Sequence, residues 1–389
     1  ICHLGVYKTA QIKDLGGFNS DFDGAQDYDL ALRYVAELKA EQIVHIPRIL
    51  YHWRAVSGST ANGVHEKPYA EALIAKAVKV ALERKQRPAE VLGHDRLPGA
   101  LRVRYLLPEV LPLVSIVIPT RNGFSLLRRC VESIFAKTHY ANYELLIIDN
   151  GSNDFVALRY LQSLQKDSRV TVIRDDSPFN YSALNNKAVA QAKGDIIALL
   201  NNDLEVINDD WLDEMVSYAL HPEVGAVGAK LYYPDDTIQH AGVIVGLGGV
   251  AGHSHKHFPR DNPGYCGRLL LAQNLSAVTA ACLVLRKDVF NAVGGLDEKN
   301  LSVAFNDVDF CLRIQEHGFY NVWTPYAELY HYESATRGYE DTPEKQARFS
   351  DEVGYMKKRW GKRLLVDPAY SPNLTLERED FSFAWPPRT

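Results

Sequence analysis

LVSIVIPTRN, residues 113–122, opens the part of the chain that decides the fold. Val114, Ile116, Val117 and Ile118 form a short, largely β-branched apolar run, as in a strand buried on both faces. Three runs of the same kind follow: ELLIID at Glu144–Asp149, VTVIR at Val170–Arg174 and DIIALL at Asp195–Leu200. The intervening spacing predicts helices near Ser125–Lys137, over 154–166 and over 181–193. Strands alternating with helices of this length predict a doubly wound, mostly parallel α/β sheet. Such sheets bind ligands at the carboxyl ends of their strands. Polar residues collect there: Thr120, Arg121 and Asn122 after the first strand, Asp149 and Asn150 at the second, Asp175 and Asp176 after the third, and Asn201, Asn202 and Asp203 after the fourth.

The rest of the chain sets bounds. Its 389 residues, 46% hydrophobic and 23% charged, suit a globular protein of more than one domain. A net charge of −5 argues against a general nucleic-acid binder. No run approaches the apolar length of a membrane helix. Cys2, Cys130, Cys266, Cys282 and Cys311 are odd in number and without C-x-x-C spacing, which reads as scattered reduced thiols.

Two distant segments read alike. GGFNSDFDGAQDYDLALR at 16–33 matches GGLDEKNLSVAFNDVDFCLR at 294–313, and each is followed by a His behind a Tyr, in LYHWR at Leu50–Arg54 and LYHYE at Leu329–Glu333. The first copy includes the apolar stretch IVHIP, expected to be a strand, but has no α/β segment before it. The expectation is therefore the end of one domain (1–62), a helical linker (63–111) with its amphipathic helix at 66–86, a complete domain (112–365) and a tail (366–389). LRVRYLL in the linker could be an edge strand. The initial Ile adds the expectation that this is a piece of a longer polypeptide.

The first strand lacks the G-x-G-x-x-G fingerprint, and no Walker P-loop is present. A diphosphate would then need a carboxylate-held divalent cation, for which Asp203 is the leading ligand. The alternative is a turn and N-cap before a helix near Asp209. His253, His255 and His257 sit at alternate positions, which would put them on one side of an extended segment, but no nearby Cys or carboxylate completes a zinc set. They read as a surface or acceptor-facing loop. Trp323 and Tyr326 could stack on a sugar or belong to the core.

VSIVIPTRN, LLIIDNGS, GDIIALLNND, GGLDEKNLSVAFNDVDFCLR and LYHYES, in that order, resemble the motifs of family 2 inverting glycosyltransferases of GT-A fold. The likeness is nearer to bacterial tandem enzymes of O-antigen synthesis, rhamnosyltransferases included. It implies that Asp149 contacts the nucleotide base, with Thr120, Arg121 and Asp176 at the same pocket. Asn122, Asn186 and Asn202 are counted with the nucleotide-sugar contacts. Asp203 would bind Mg2+ or Mn2+, His331 would complete the metal shell, and Asp307 would be the catalytic base. Asn201 stands in place of the first Asp of the family's Asp-x-Asp, and Asn306 in place of the Glu before Asp307. Inverting transfer independently requires one carboxylate to take the acceptor's proton, which Asp307 can supply at the start of a helix over 306–318. Asp307 could instead simply cap that helix; Asp309 reads as structural, paired with Arg313.

The resemblance implies a UDP- or dTDP-sugar donor and a saccharide or lipid-linked acceptor, with no nucleic acid. The location implied is cytoplasmic, with peripheral membrane association left open. A nucleotidyltransferase and a non-catalytic carbohydrate-binding scaffold are the competing readings. Residues 1–60 keep Asp27 and His52 but no counterpart of Asp149 or Asp203, and are expected to be catalytically silent.

Overall fold

The structure, a computed structural model, describes residues 5–56, 68–333 and 342–388. The chain divides into two compact units, Ile1–Leu106 and Leu107–Arg388.

The first unit holds helices α1 (Thr9–Asp14), α2 (Gln26–Ala36) and α3 (Pro68–Arg84) and a hairpin of β1 (Ala89–Gly93) and β2 (Leu101–Tyr105). The hairpin is antiparallel, with Ala89 opposite Tyr105. The linker therefore contains a strand pair as well as the expected helix. α2 packs on α3, with Leu30, Ala31 and Tyr34 of α2 and Ala70 and Ala77 of α3 buried. The Lys76 ammonium lies 4.8 Å from the Phe22 ring centre.

IVHIP is not a strand. Residues 43–56 carry no regular element, and Ile43, Val44, Ile46, Ile49 and Leu50 are exposed. A single strand leaves its backbone donors and acceptors unmet, so it forms only against a partner. No strand among the described residues pairs with these.

In the second unit the chain runs β3 (Val114–Thr120), α4 (Phe124–Lys137), β4 (Tyr143–Asp149), α5 (Phe155–Leu164), β5 (Val170–Arg174), α6 (Tyr181–Gln191) and β6 (Ile196–Leu200). β3 pairs in parallel with β4 and β6, and β4 with β5. β3, β4 and β6 are almost wholly buried, which accounts for their lack of polar alternation. Asp154 and Asn180 cap α5 and α6 by accepting from Ala157 N (2.8 Å) and Ala183 N (2.9 Å).

The chain continues through β7 (Leu204–Val206), α7 (Trp211–Ala219), β8 (Val224–Tyr232), β9 (Ile238–His240), β10 (Val243–Val245), β11 (Ala251–His253), β12 (Gln273–Leu275), β13 (Cys282–Arg286), α8 (Lys287–Ala292), α9 (Asn306–Glu316), β14 (Tyr320–His331) and α10 (Pro343–Trp360). The main sheet runs β12-β14-β8-β13-β6-β3-β4-β5, with β7 on β14 and β9 on β8. β13 inserts antiparallel between β6 and β8, so the sheet is parallel in its first half and mixed in its second. Residues 366–388 are part of this unit. Tyr370, Leu374 and Phe381 are buried with Ile244 and Leu247, and Asp367 accepts from Val245 N at 2.8 Å and Ser276 Oγ at 2.6 Å.

Among the described residues no helix is long and apolar enough to cross a membrane.

Candidate active site

The parallel strands set the first cluster. Arg174, the last residue of β5, donates from Nη1 to Asp149 Oδ2 at 2.6 Å and from Nε to Asp176 Oδ1 at 2.7 Å. Asp149 Oδ1 accepts from Ser152 N at 3.0 Å. The structure thus brings Asp149 and Asp176 together through one guanidinium. Next to them, Lys187 donates to Asp175 Oδ2 at 2.6 Å. That bond, then those from Ser177, lower the Asp175 carboxyl to about 2. Arg174 and Lys187 were not among the sequence candidates; only their places, at a strand end and in the middle of α6, hinted at them.

Asn122, at φ +57°, ties two loops together. Its Oδ1 accepts from Asn153 N and Asp154 N at 2.9 and 3.0 Å, and its own N donates to Ser152 Oγ at 2.8 Å. Thr120 Oγ1 accepts from Asn202 Nδ2 at 2.9 Å inside the sheet, whereas Arg121 is exposed. Asn186 is engaged elsewhere, donating to Leu296 O and accepting from Leu296 N, both at 2.9 Å.

The second cluster lies where β6 ends and β14 returns. His331 pairs with Leu204 across β14 and β7, which sets its ring beside Asp203. His331 Nε2 is 3.3 Å from Asp203 Oδ1 and 3.4 Å from Asn201 Nδ2. Asp203 Oδ1 and His331 Nδ1 are buried without a hydrogen-bond partner. A buried carboxylate oxygen left unbonded beside an imidazole is costly, and it suits a divalent cation. No three His, Cys, Asp or Glu side chains among the described residues gather around one point. Asp203 and His331 alone could hold a divalent cation only in part. The donor set fits an open metal site and not a closed structural one.

The third cluster is built on the turn before β13. Thr279 N donates to His240 Nε2 at 3.4 Å, and Ala280 N donates to Asp307 Oδ2 at 3.1 Å. Asp307 Oδ1 accepts from Val308 N at 2.8 Å. Tyr181 reaches the same turn, its hydroxyl donating to Ala280 O at 2.9 Å. Burial, then the charges of Asp307 and Asp203, push the Tyr181 phenol up, so this ring lies in the field of both carboxylates. Buried Glu352 of α10 accepts from Val303 N at 2.8 Å and Ala304 N at 3.1 Å, fixing the loop that delivers Asp307. Phe305 in that loop has φ +58°, a strained value for a bulky side chain. Asp309 is structural, as its spacing predicted. It takes Arg313 Nε at 2.8 Å and Trp360 Nε1 at 2.9 Å.

The three alternating histidines part company, because His255 (φ +53°) and His257 (φ +64°) break the extended backbone. His255 is buried, stacked 4.7 Å from Phe381. His257 is exposed against Tyr233. Only His253 belongs to a strand, and it lies in the electrostatic field of Asp307. Trp323 is core, its Nε1 donating to Ala229 O at 3.1 Å. Tyr326 is half-buried and donates to Leu270 O at 3.0 Å.

A parallel nucleotide-type half, a carboxylate–imidazole pair where it ends and a carboxylate at a later helix start define the GT-A class of α/β fold. The crystal structure of GalNAc-T7 with UDP, GalNAc and Mn2+ shares it, with a TM-score of 0.52 at 16% identity over 71% of this chain and 54% of that one. Residues 115–294 match Glycosyl transferase family 2, and the chain carries a domain of that family. It is 54% identical over 387 residues to the uncharacterized protein y4gI of Sinorhizobium fredii, covering 99% of this chain and 42% of that one. It is 38% identical over 381 residues to the O-antigen biosynthesis protein RfbC of Myxococcus xanthus, covering 97% of this chain and 29% of that one. The chain thus spans less than half the length of either relative.

Proposed function

We propose that residues 112–365 carry out inverting transfer of a sugar from a UDP- or dTDP-sugar to a saccharide or lipid-linked saccharide, in O-antigen-like surface polysaccharide synthesis. The observation that carries this reading is the orphaned Asp203–His331 face set near Asp307 through the bond from Asn201 N to Ala281 O at 2.9 Å, next to the Ala280 amide that holds Asp307. Family membership and the likeness to an O-antigen biosynthesis protein support the substrate class. Mn2+ and UDP in the GalNAc-T7 structure support the metal and the kind of donor.

In this reading the base contacts Asp149, oriented by Arg174, in the pocket of Thr120, Arg121 and Asp176. Asp203 and His331 would hold Mg2+ or Mn2+, which would neutralise charge on the leaving diphosphate. Asp307 takes the proton of the acceptor hydroxyl as its oxygen bonds to the anomeric carbon and the carbon–oxygen bond to the diphosphate breaks. The amides of Ala280 and Val308 fix the direction of the Asp307 carboxylate. Asn201 and Asn306 add no charge, so metal affinity is modest.

Residues 1–62 are read as a structural copy of a family member's end, 63–111 as the linker and 366–389 as a tail. The reaction belongs in the cytoplasm, at the membrane face where the acceptor is lipid-linked. The test is turnover of UDP-, dTDP- and GDP-sugars with Mn2+, to water and to added glycosides. Metal-dependent release of nucleoside diphosphate by the intact chain is expected, and its loss in Asp203→Ala. Turnover indifferent to chelator or to Asp203 would overturn the metal role.

A further inference from the structure

Near Asp307 lie two histidines that the transfer step does not use, His240 and His253, with Gln239 behind them. β10 and β11 pair Val243 with His253, and the His253 ring meets His240 edge-on with centroids 4.8 Å apart. His253 Nδ1 is 2.9 Å from Gln239 O. A carbonyl oxygen only accepts, so Nδ1 carries the proton and Nε2 is left as a lone-pair acceptor. By the same logic Thr279 N, donating to His240 Nε2, puts the His240 proton on Nδ1. That Nδ1 is buried without a partner, and so is Gln239 Oε1. His240 and Gln239 are 0% and 3% exposed, where an unmet donor or acceptor is costly unless a ligand satisfies it. Burial lowers both imidazoles from their ordinary value and keeps them neutral. Consecutive amides, Thr279 and Ala280, hold His240 and Asp307 side by side.

A carboxylate next to a neutral lone-pair nitrogen presents two hydrogen-bond acceptors to whatever enters. Phosphate groups offer only acceptors and negative charge, so they do not fit. Two O–H donors on neighbouring carbons do, and that is a saccharide diol. We propose that His253, backed by Gln239 and His240, forms the acceptor subsite, with Nε2 receiving a hydrogen bond from the hydroxyl adjacent to the one Asp307 deprotonates. This rests on the transferase reading of Asp307. His253 is an acceptor-binding residue; Gln239 and His240 position it.

The test compares acceptors with one and with two hydroxyls on the intact chain. Probes are methanol against methyl α-D-glucopyranoside, methyl α-D-mannopyranoside and methyl α-L-rhamnopyranoside, with water as the baseline acceptor. His253→Ala should raise KM for a productive glycoside about tenfold, the worth of one hydrogen bond. Its rates to water and methanol and its donor KM should stay unchanged, while its melting temperature falls because the bond to Gln239 O and the contact with the His240 ring are lost. His253→Gln, whose amide oxygen reaches toward the place of Nε2, should recover part of the loss. Unchanged glycoside KM in His253→Ala overturns the subsite, as does an equal fall toward water, methanol and glycosides. A wild-type chain that turns over no donor with any acceptor removes the transferase reading and the subsite with it; an active wild type with an indifferent His253→Ala removes the subsite alone.

Discussion

Gly16–Gly17 and Gly294–Gly295 close their helices with the same hydrogen bonds and then diverge. In the first copy Leu15, Gly16 and Gly17 donate to Gln11, Lys13 and Ile12 carbonyls; in the second Val293, Gly294 and Gly295 donate to Val289, Asn291 and Phe290. All four glycines have positive φ, between 69° and 81°, which a side chain would resist. Arg33 pairs with Asp29 and donates to Leu15 O at 2.9 Å; Arg313 pairs with Asp309 and donates to Val293 O at 2.5 Å. Asp27 Oδ1 accepts from Tyr28 N just as Asp307 Oδ1 accepts from Val308 N. The difference begins one bond further out. Asp307 Oδ2 has the Ala280 amide, and β14 delivers His331 to Asp203. Among the described residues nothing equivalent stands beside Asp27 or His52. Local sequence thus builds the same glycine turn and Asp–Arg pair twice, and in the proposed reading it is the sheet around the second that completes a site.

The largest effect that can break this comparison is at the paired carboxylates. Asp307→Asn should lower transfer by about 10²- to 10⁴-fold while donor binding, measured by calorimetry with Mn2+, persists. Asp27→Asn should leave both unchanged. Near-native turnover in Asp307→Asn would remove its role as base and make the two copies functionally alike.

The arginine clamps come next. Arg33→Met strands the buried Asp29 carboxylate, and losing one partner of such a pair costs about 3–5 kcal/mol, enough to threaten the first unit. Arg313→Met should fall at the lower end of that range, because Trp360 and Arg359 still hold Asp309, the latter at 3.2 Å. Denaturant melts read both. Equal losses would show that the added partners contribute nothing.

The parallel strands were legible because each centres on a short, largely apolar run, and the polar strand ends followed from their position. Asp203 and Asp307 stood out by chemistry. Arg174 did not, since an arginine at a strand end has no periodic signature. The His240–His253 edge contact joins β9 and β11, two short strands that belong to different sheets and do not pair with each other, so no local pattern brings the two rings together. IVHIP shows the converse. Its apolar pattern is that of a strand, but a strand needs a neighbour that local sequence does not supply.

Acid sensitivity should separate the units more gently. Burial, ahead of Arg268 and Lys230, lowers His255 from 6.5 to about 4. The unfolded chain then binds the proton more readily over that interval, so stability rises with pH between about 4 and 6.5 and is lost on acidification. One such group accounts for at most about 3 kcal/mol, and lowered His240 and His253 add in the same sense. Melting of the second unit should fall from pH 7 to pH 5, and His255→Phe should flatten that slope. A slope that His255→Phe leaves unaltered would assign the acid loss to other groups.

The smallest expected effect is none. Asp27→Ala with His52→Ala should leave transfer per folded molecule unchanged. Asp27 lacks the second amide that aims Asp307, and His52 lies in an exposed segment without the strand pairing that aims His331. Without those supports, matching residue types cannot hold a reacting group to the fraction of an ångström that proton transfer needs. Melting temperature must be read beside the rate. If transfer collapsed while melting stayed the same, the first copy would be contributing to catalysis, and the sheet would no longer be what distinguishes the two.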